Sequence, residues 1–342
     1  MPLHQTIQNL LLIGVRLQHA PAPAPTRPPP ALQALVDALE PERHASNGRA
    51  VEYGHRYRSA FWGLYLLSAL AVLFAALPEG LGWADERHAL HRWAPLAGCA
   101  ELAAIGVVAA LYVWGHRRDW QGRWLAARTE AELLVYLPLA ATLQDPEVDA
   151  AGFADAWLAT LAGRGNASSQ AGEVDALCRR HAALATAGRD AALRDPAAWA
   201  RWLRGVVAAQ QDYHARVALR QHALQHRVHR VNALLFALTA LGTAAHLVWH
   251  QPWLLLVATV FPALGAALHG ALAQSEAYRL EMNSRRLAEA LTALQAEVGA
   301  VDAAAADAPD ALRALGHKAL DTILAEHHDW YQLVQPHRLP LG

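Results

Sequence analysis

The chain reads as an all-α polytopic membrane protein, with four transmembrane helices in two hairpins plus cytosolic helical extensions. Two observations lead there. Four stretches, Ala60–Leu77, Trp93–Gly115, Val231–Trp249 and Pro252–Ala273, are apolar along their length, and three of them hold no Asp, Glu, Lys or Arg. Each matches the ~20 residues that carry a helix across a hydrocarbon core of ~30 Å, where the backbone must satisfy its own hydrogen bonds. The second observation is the position of arginine, which gathers at one end of every stretch.

Residues 1–49 precede the first span. Asn9–Val15 is a short apolar run followed by the proline-rich Pro21–Pro30. A secretory signal needs a basic start and a longer apolar core, so the expectation is a cytoplasmic arm. Within it Leu10–Val15 has the length of a short strand and Ala31–Leu39 that of a helix. No glycine-rich phosphate loop follows the strand-like run.

Arg56 and Arg58 approach the first span, and Arg117, Arg118, Arg123 and Arg128 follow the second. Arg216, Arg220, Arg227 and Arg230 approach the third, and Arg279, Arg285 and Arg286 follow the fourth. The loop between the first two spans balances Arg87 and Arg92 against Glu79, Asp85 and Glu86, and His250–Gln251 carries no fixed charge. Since loops on the cytoplasmic side hold the excess of Lys and Arg, both termini and the central segment are expected inside. Trp83, Trp93, Trp249 and Trp253 then form an outer aromatic belt, with Trp62, Tyr65, Tyr112 and Trp114 on the inner side.

Charge excludes one class of partner. The formal net charge is −1, from 29 basic and 30 acidic residues, without the basic excess of a nucleic-acid module. Mean hydropathy is only +0.10 because polar segments dilute the apolar ones. Lys318 is the sole lysine, a bias that resembles GC-rich bacterial coding and removes phosphate recognition as the reason for so much arginine. The two cysteines, Cys99 and Cys178, fall in a span and in a cytosolic stretch, so no disulfide and no cysteine zinc set is expected.

The chain is built twice on one plan: a basic approach helix, a hairpin, then a polar amphipathic helix returning. Arg128-Thr-Glu-Ala-Glu-Leu-Leu134 follows the second span as Arg285-Arg-Leu-Ala-Glu-Ala-Leu291 follows the fourth, at nearly equal distances. Four units are expected: an arm at 1–49, a first hairpin unit at 50–145, a helical linker region at 146–198 and a second hairpin unit at 199–342. Gly163–Gly172 and Asp302–Pro309 read as loops, and Trp199–His229 as one helix running into the third span. Leu280, Leu287, Leu294 and Val301 recur every seven residues with Leu291 and Val298 between them. That stripe suits either a helix of another chain or an intramolecular bundle. A second stripe runs through Leu312, Leu315, Ile323 and Leu324 in Ala311–Val334.

Catalytic patterns are absent: no G-x-S-x-G, Walker loop, H-E-x-x-H or paired cysteine set. No catalytic residue, metal or cofactor is therefore expected. His222, His226 and His229 share a helical face, a spacing that fits metal ligation, a pH sensor or a solvated interfacial face. His327-His328-Asp329 is a similar but weak cluster. Glu101 costs more to place, since a charge at a span centre is penalised by roughly 2.5–3.5 kcal/mol on insertion scales. It is either a pore-lining or gating carboxylate or a structural hydrogen-bonding group. His246 lies at comparable depth as its candidate partner, and His269 lies nearer the inner side. Gly98, Gly106 and Ala110 in the second span, and Gly265 and Gly270 around Pro262 in the fourth, permit close helix packing and a kink.

The approach segment His55-Arg-Tyr-Arg-Ser-Ala-Phe-Trp-Gly-Leu-Tyr65, the stretch Arg279–Leu294 and the ending Glu326-His-His-Asp-Trp330-Tyr331-Gln-Leu333 with Arg338-Leu-Pro340 resemble the SLATT superfamily, which overlaps DUF4231. The resemblance covers residues 50–340 as two tandem two-span units. It implies a bacterial inner-membrane effector of conflict or antiphage systems, not an enzyme, that forms pores or perturbs the membrane when a nucleotide-synthesising or nucleotide-binding sensor triggers it. The partners so implied are the lipid bilayer, further copies of the chain and that sensor. The chain departs from the family in carrying no recognisable fused sensor domain. A small-molecule or ion transporter, and a membrane scaffold or signal receptor, are the alternatives.

Overall fold

The computed structural model describes residues 1–15, 27–162 and 171–334, with side chains described outside 158–175, 177 and 326–334. Ten α-helices run through these residues: α1 (Leu3–Leu11), α2 (Pro30–Gly80), α3 (Ala94–Arg117), α4 (Trp120–Leu143), α5 (Ala150–Ala162), α6 (Ala171–Arg194), α7 (Pro196–Trp249), α8 (Pro252–Gln274), α9 (Ala277–Ala300) and α10 (Ala308–Val334). There is no strand among the described residues. Leu10–Val15 is accordingly not a strand. Chain up to Leu11 is helical and the rest is turn; Ile7 and Leu11 pack on the cluster where α2 and α7 lie, while Leu10 and Ile13 are exposed.

Four helices are long and apolar enough to cross a membrane: the C-terminal part of α2, α3 with the 3-10 turn before it, the C-terminal part of α7, and α8. They form an apolar layer beside a polar helical body. The layer is a single row. α2 packs on both α3 and α8, and α8 packs on α2 and α7, which gives the order α3, α2, α8, α7. The middle members bury most, while α3 and α7 stand at the two ends with apolar side chains such as Leu102, Phe236 and Leu241 exposed.

The duplication is visible residue by residue. α2 and α7 are 51 and 54 residues long, and each leads into a shorter helix of the layer and then a returning helix. The chain turns from α3 into α4 and from α8 into α9 through a left-handed acidic residue, Asp119 at φ 45° and Glu276 at φ 52°. Non-glycine residues rarely adopt that conformation, and these two lie 157 positions apart. The same offset superposes Arg128 on Arg285 and Leu134 on Leu291. Of the eight buried positions of α9, seven fall on buried positions of α4: Ala277 on Trp120, Ser284 on Ala127, Leu287 on Glu130, Ala288 on Ala131, Leu291 on Leu134, Leu294 on Leu137 and Val298 on Ala141.

The polar body has one core for both halves. Leu32, Leu35 and Leu39 of α2 join Leu134 of α4, Trp157 of α5, Trp199 of α7, Leu291 of α9 and Leu324 of α10 in a single cluster. The expected break between residues 49 and 50 falls inside α2, which runs on uninterrupted. The heptad stripe of α9 is spent within the chain: Leu287, Leu291, Leu294 and Val298 all enter this core, as do Leu312, Ile323 and Leu324 of α10. A second cluster, around Tyr57, Phe61, Trp62, Leu224, Val228, Leu268 and Leu272, lies where the layer meets the body. Trp62 is fully buried there and faces no lipid boundary, whereas Trp93, Trp249 and Trp253 at the distal end are exposed. Cys99 is exposed, Cys178 is buried, and neither forms a disulfide.

Candidate functional site

Glu101 lies on α3 in line with Ala97, Ala104, Val108 and Leu111, the less exposed side of the helix. α3 packs on α2, so this side is the α2–α3 seam. No hydrogen bond or ion pair joins Glu101 to another group among the described residues. His246 instead approaches the Gln251 carbonyl through Nδ1 at 3.1 Å and lies near His250. His269 is exposed on α8. The three residues are thus on three helices and are not brought together.

Small residues sort by helix. Gly270 lets α8 approach α2, because a Cβ there would stand 2.5 Å from a ring carbon of Tyr65. Gly98 and Gly106 have nothing within 4 Å of a Cβ built on them. Together with Leu102 and Ala110 they line the side of α3 on which nothing packs among the described residues.

The histidine face of α7 has a partner that its spacing alone did not reveal. Glu281 of α9, 6% exposed, accepts from His222 Nδ1 at 2.8 Å, Gln225 Nε2 at 2.8 Å and Arg285 Nη2 at 2.8 Å. His226 packs edge-on against His222. No cluster that would hold a metal ion occurs among the described residues. In the first half the position equivalent to Glu281 is Trp124, which stacks on Tyr57 and carries the Arg58 guanidinium 5.3 Å above its ring.

A polar cavity lies between the halves. A cavity of about 280 Å³ opens between α2 and α7, beneath the layer. α2 supplies Tyr57 and Arg58, α4 supplies Trp124 and Arg128, α7 supplies Tyr213 and Arg220, and the α8–α9 turn closes one side. α1 lies against both α2 and α7 and contributes His4, Gln5 and Gln8. It is held by His4 Nδ1 to Ser59 Oγ at 3.1 Å and by Arg227, whose Nε and Nη2 donate to the carbonyls of Leu11 and Ile13 at 2.8 and 2.6 Å. Such capping satisfies carbonyls that a helix end leaves open.

Electrostatics in the cavity is dominated by crowded cations. Arg128 pairs with Glu132 at 2.5 Å and donates to Tyr213 Oη at 3.4 Å; these partners keep it firmly protonated against burial. Arg58 has its Nε on the Gly54 carbonyl at 3.0 Å. Burial, and then the Arg128 charge, bring its pKa down to about 10. Burial, followed by the Arg58 charge, lowers His4 to about 3, so it is neutral at pH 7. Sequence reasoning missed this assembly because each arginine, taken singly, reads as flanking charge beside a span.

Comparison with family models, with curated proteins and with solved structures finds no match for this chain.

Proposed function

We propose that the chain is a SLATT-like effector of a bacterial conflict or antiphage system, seated in the inner membrane with both termini cytoplasmic. On a signal from a nucleotide-linked sensor it self-associates and opens an ion-permeable path. The observation that carries this reading is the open row α3–α2–α8–α7. A row encloses no lumen, so a path for ions takes several copies, and the end helix α3 offers a Gly98/Gly106/Ala110 side with nothing packed on it among the described residues. Small residues at such spacing let helices of different chains approach closely. Glu101 supports the same reading, because an ionisable group inside a span is expensive unless it meets water or a partner. The resemblance of the approach segment and of Arg279–Leu294 to the superfamily supplies the class of system.

Membrane potential, followed with a dye in cells expressing the chain with and without a neighbouring sensor, tests the proposal. Depolarisation on triggering is the expected result, and sustained polarisation overturns it. Gly106→Leu is expected to abolish association and depolarisation while leaving the unfolding temperature of the isolated chain unchanged. Glu101→Gln is expected to lower conductance. A transporter reading draws on the cavity between the halves; saturable uptake without toxicity would favour it.

A further inference from the structure

We propose that the cavity between the two halves is a binding site for a phosphate-bearing ligand, with Arg58 and Arg220 as its charge partners and α1 as its cover. This inference stands apart from the effector reading, since it concerns binding and not conductance.

Charge balance is the first argument. Three arginines from three helices line one cavity: Arg58 of α2, Arg128 of α4 and Arg220 of α7. Arg128 is neutralised by Glu132. Arg58 and Arg220 have no carboxylate within ion-pairing distance among the described residues; their recorded polar contacts are with the Gly54 carbonyl and with Gln8 Oε1 at 3.4 Å. The acid in the lining, Glu276, faces Arg279 at 3.7 Å. Two cations that form no ion pair are thus turned into one cavity whose one lining carboxylate, Glu276, faces Arg279. Removing an ion's water without supplying a counter-charge is unfavourable, and a bound anion would reverse that. Some other arginines are compensated, as in the pairs Arg49–Glu130, Arg56–Glu52 and Arg216–Asp212.

Geometry is the second argument. Guanidinium groups bind phosphate oxygens through parallel N–H donors, in a fork that an ammonium lacks. The neighbouring side chains are neutral donors or flat rings: Gln5 and Gln221 for further hydrogen bonds, and Trp124 and Phe61 for an organic body. His4 adds no charge at neutral pH. The volume of about 280 Å³ approaches the lower end of small-molecule sites and suits a phosphate with a small substituent. The third argument is position. The walls belong to both repeats, and α1 spans them through His4–Ser59 on α2 and through Arg227 on α7. A ligand there would fix the distance between α2 and α7.

Phosphate of this kind has two sources, a soluble phosphoester or the headgroup of an anionic lipid, and the cavity adjoins the apolar layer where both have access. Two arms separate them. In the first, the full chain in a neutral detergent is titrated calorimetrically with inorganic pyrophosphate. In the second, it is placed in nanodiscs of phosphatidylcholine with or without phosphatidic acid, and retained lipid is counted by native mass spectrometry. Saturable binding in the first arm assigns the site to soluble phosphate, and retention of phosphatidic acid alone assigns it to lipid. In either case Arg58→Gln and Arg220→Gln each weaken binding by about tenfold or more, as loss of a charge-assisted pair implies, while the exposed Arg43→Gln leaves it unchanged. Should Arg58→Gln fail to fold, Arg220→Gln decides alone. Binding equal in wild type and in Arg220→Gln, or no preference for either probe over phosphatidylcholine, overturns the proposal.

Discussion

The two halves of this molecule share a frame and differ in what fills it. The buried positions of α9 fall, with the exception of Glu281, on buried positions of α4 at an offset of 157, and both helices are entered through the same left-handed acidic turn. At the one buried position of α9 whose counterpart in α4 is not buried, the first half places Trp124 against Tyr57 and Arg58, and the second places Glu281 among His222, Gln225 and Arg285. The connections at the distal end differ too, residues 81–93 against residues 250–251. So do the small residues: Gly270 of α8 sits in a helix crossing, while the equivalent residue of α3, Val113, is 43% exposed. The lesson is that burial pattern preserves a repeat's architecture while the chemistry at single positions drifts apart. The row is lopsided because α8 was given a close approach to α2 that α3 has no counterpart for on α7.

The sharpest way to break the comparison is to equalise those small residues. Gly270→Leu should destabilise the chain by about 3 kcal/mol, the upper range for overpacking a filled contact, read as a drop in thermal unfolding temperature in detergent. Val113→Leu should stay within about 0.5 kcal/mol, as expected of an exposed site. Equal effects would show that the α2–α8 crossing is not what joins the halves.

A second contrast is Trp124→Ala against Glu281→Ala. Losing the half-buried indole removes apolar and stacking contact at a cost of about 2–3 kcal/mol. Losing Glu281 frees His222 and Arg285, whose side chains are 46% and 51% exposed and take up water again. Its cost should be about 1–2 kcal/mol. Denaturant titration of both variants checks the order, and a larger loss at Glu281 would make the carboxylate the stronger anchor.

The smallest effect is on pH dependence. Each half holds one histidine beside a serine: His4 with Ser59, and His214 with Ser284 at 3.4 Å. Burial lowers His4 to about 3, with Arg58 adding to it; burial lowers His214 to about 4, with Glu132 opposing and Arg128 assisting. Both are therefore neutral when folded, and the unfolded chain takes up their protons first. Stability is full above pH 6.5 and falls as pH drops toward 4 and then 3. His4→Asn should reduce the slope over the whole range from pH 6.5 down to about 3, and His214→Asn only from pH 6.5 down to about 4. Limited proteolysis before α2 should report the release of α1 only in the wild type and in His214→Asn.

Much of the fold was legible because a bilayer restricts composition more than any water-facing core does. The four spans lie within their helices, and Arg128 and Arg285 already marked the repeat. The heptad stripe on α9 was ambiguous in sequence, since Leu287 and Leu294 look alike whether they meet a neighbour in the same chain or another; they meet the common core. Leu10–Val15 misled because a nine-residue helix such as α1 has too little propensity of its own and forms by docking through His4 and Arg227. The cavity was illegible for a different reason. Arg58, Arg128 and Arg220 are far apart in the chain, and one cause, their place beside the spans, already accounted for them. Glu281 was hidden likewise, as an ordinary acidic residue on a polar helix.

α7 carries a mechanical consequence. Its 54 residues contain no proline after the first turn, so at 1.5 Å per residue it is a rod of ~80 Å. α2, by contrast, has Pro41 and Pro78 within it, where a kink can absorb strain. A rotation of about 5° about the buried end of such a rod displaces its far tip by ~7 Å. Whatever seats itself between α2 and α7 would thereby be reported at the opposite face as a change of angle, with no messenger crossing the distance.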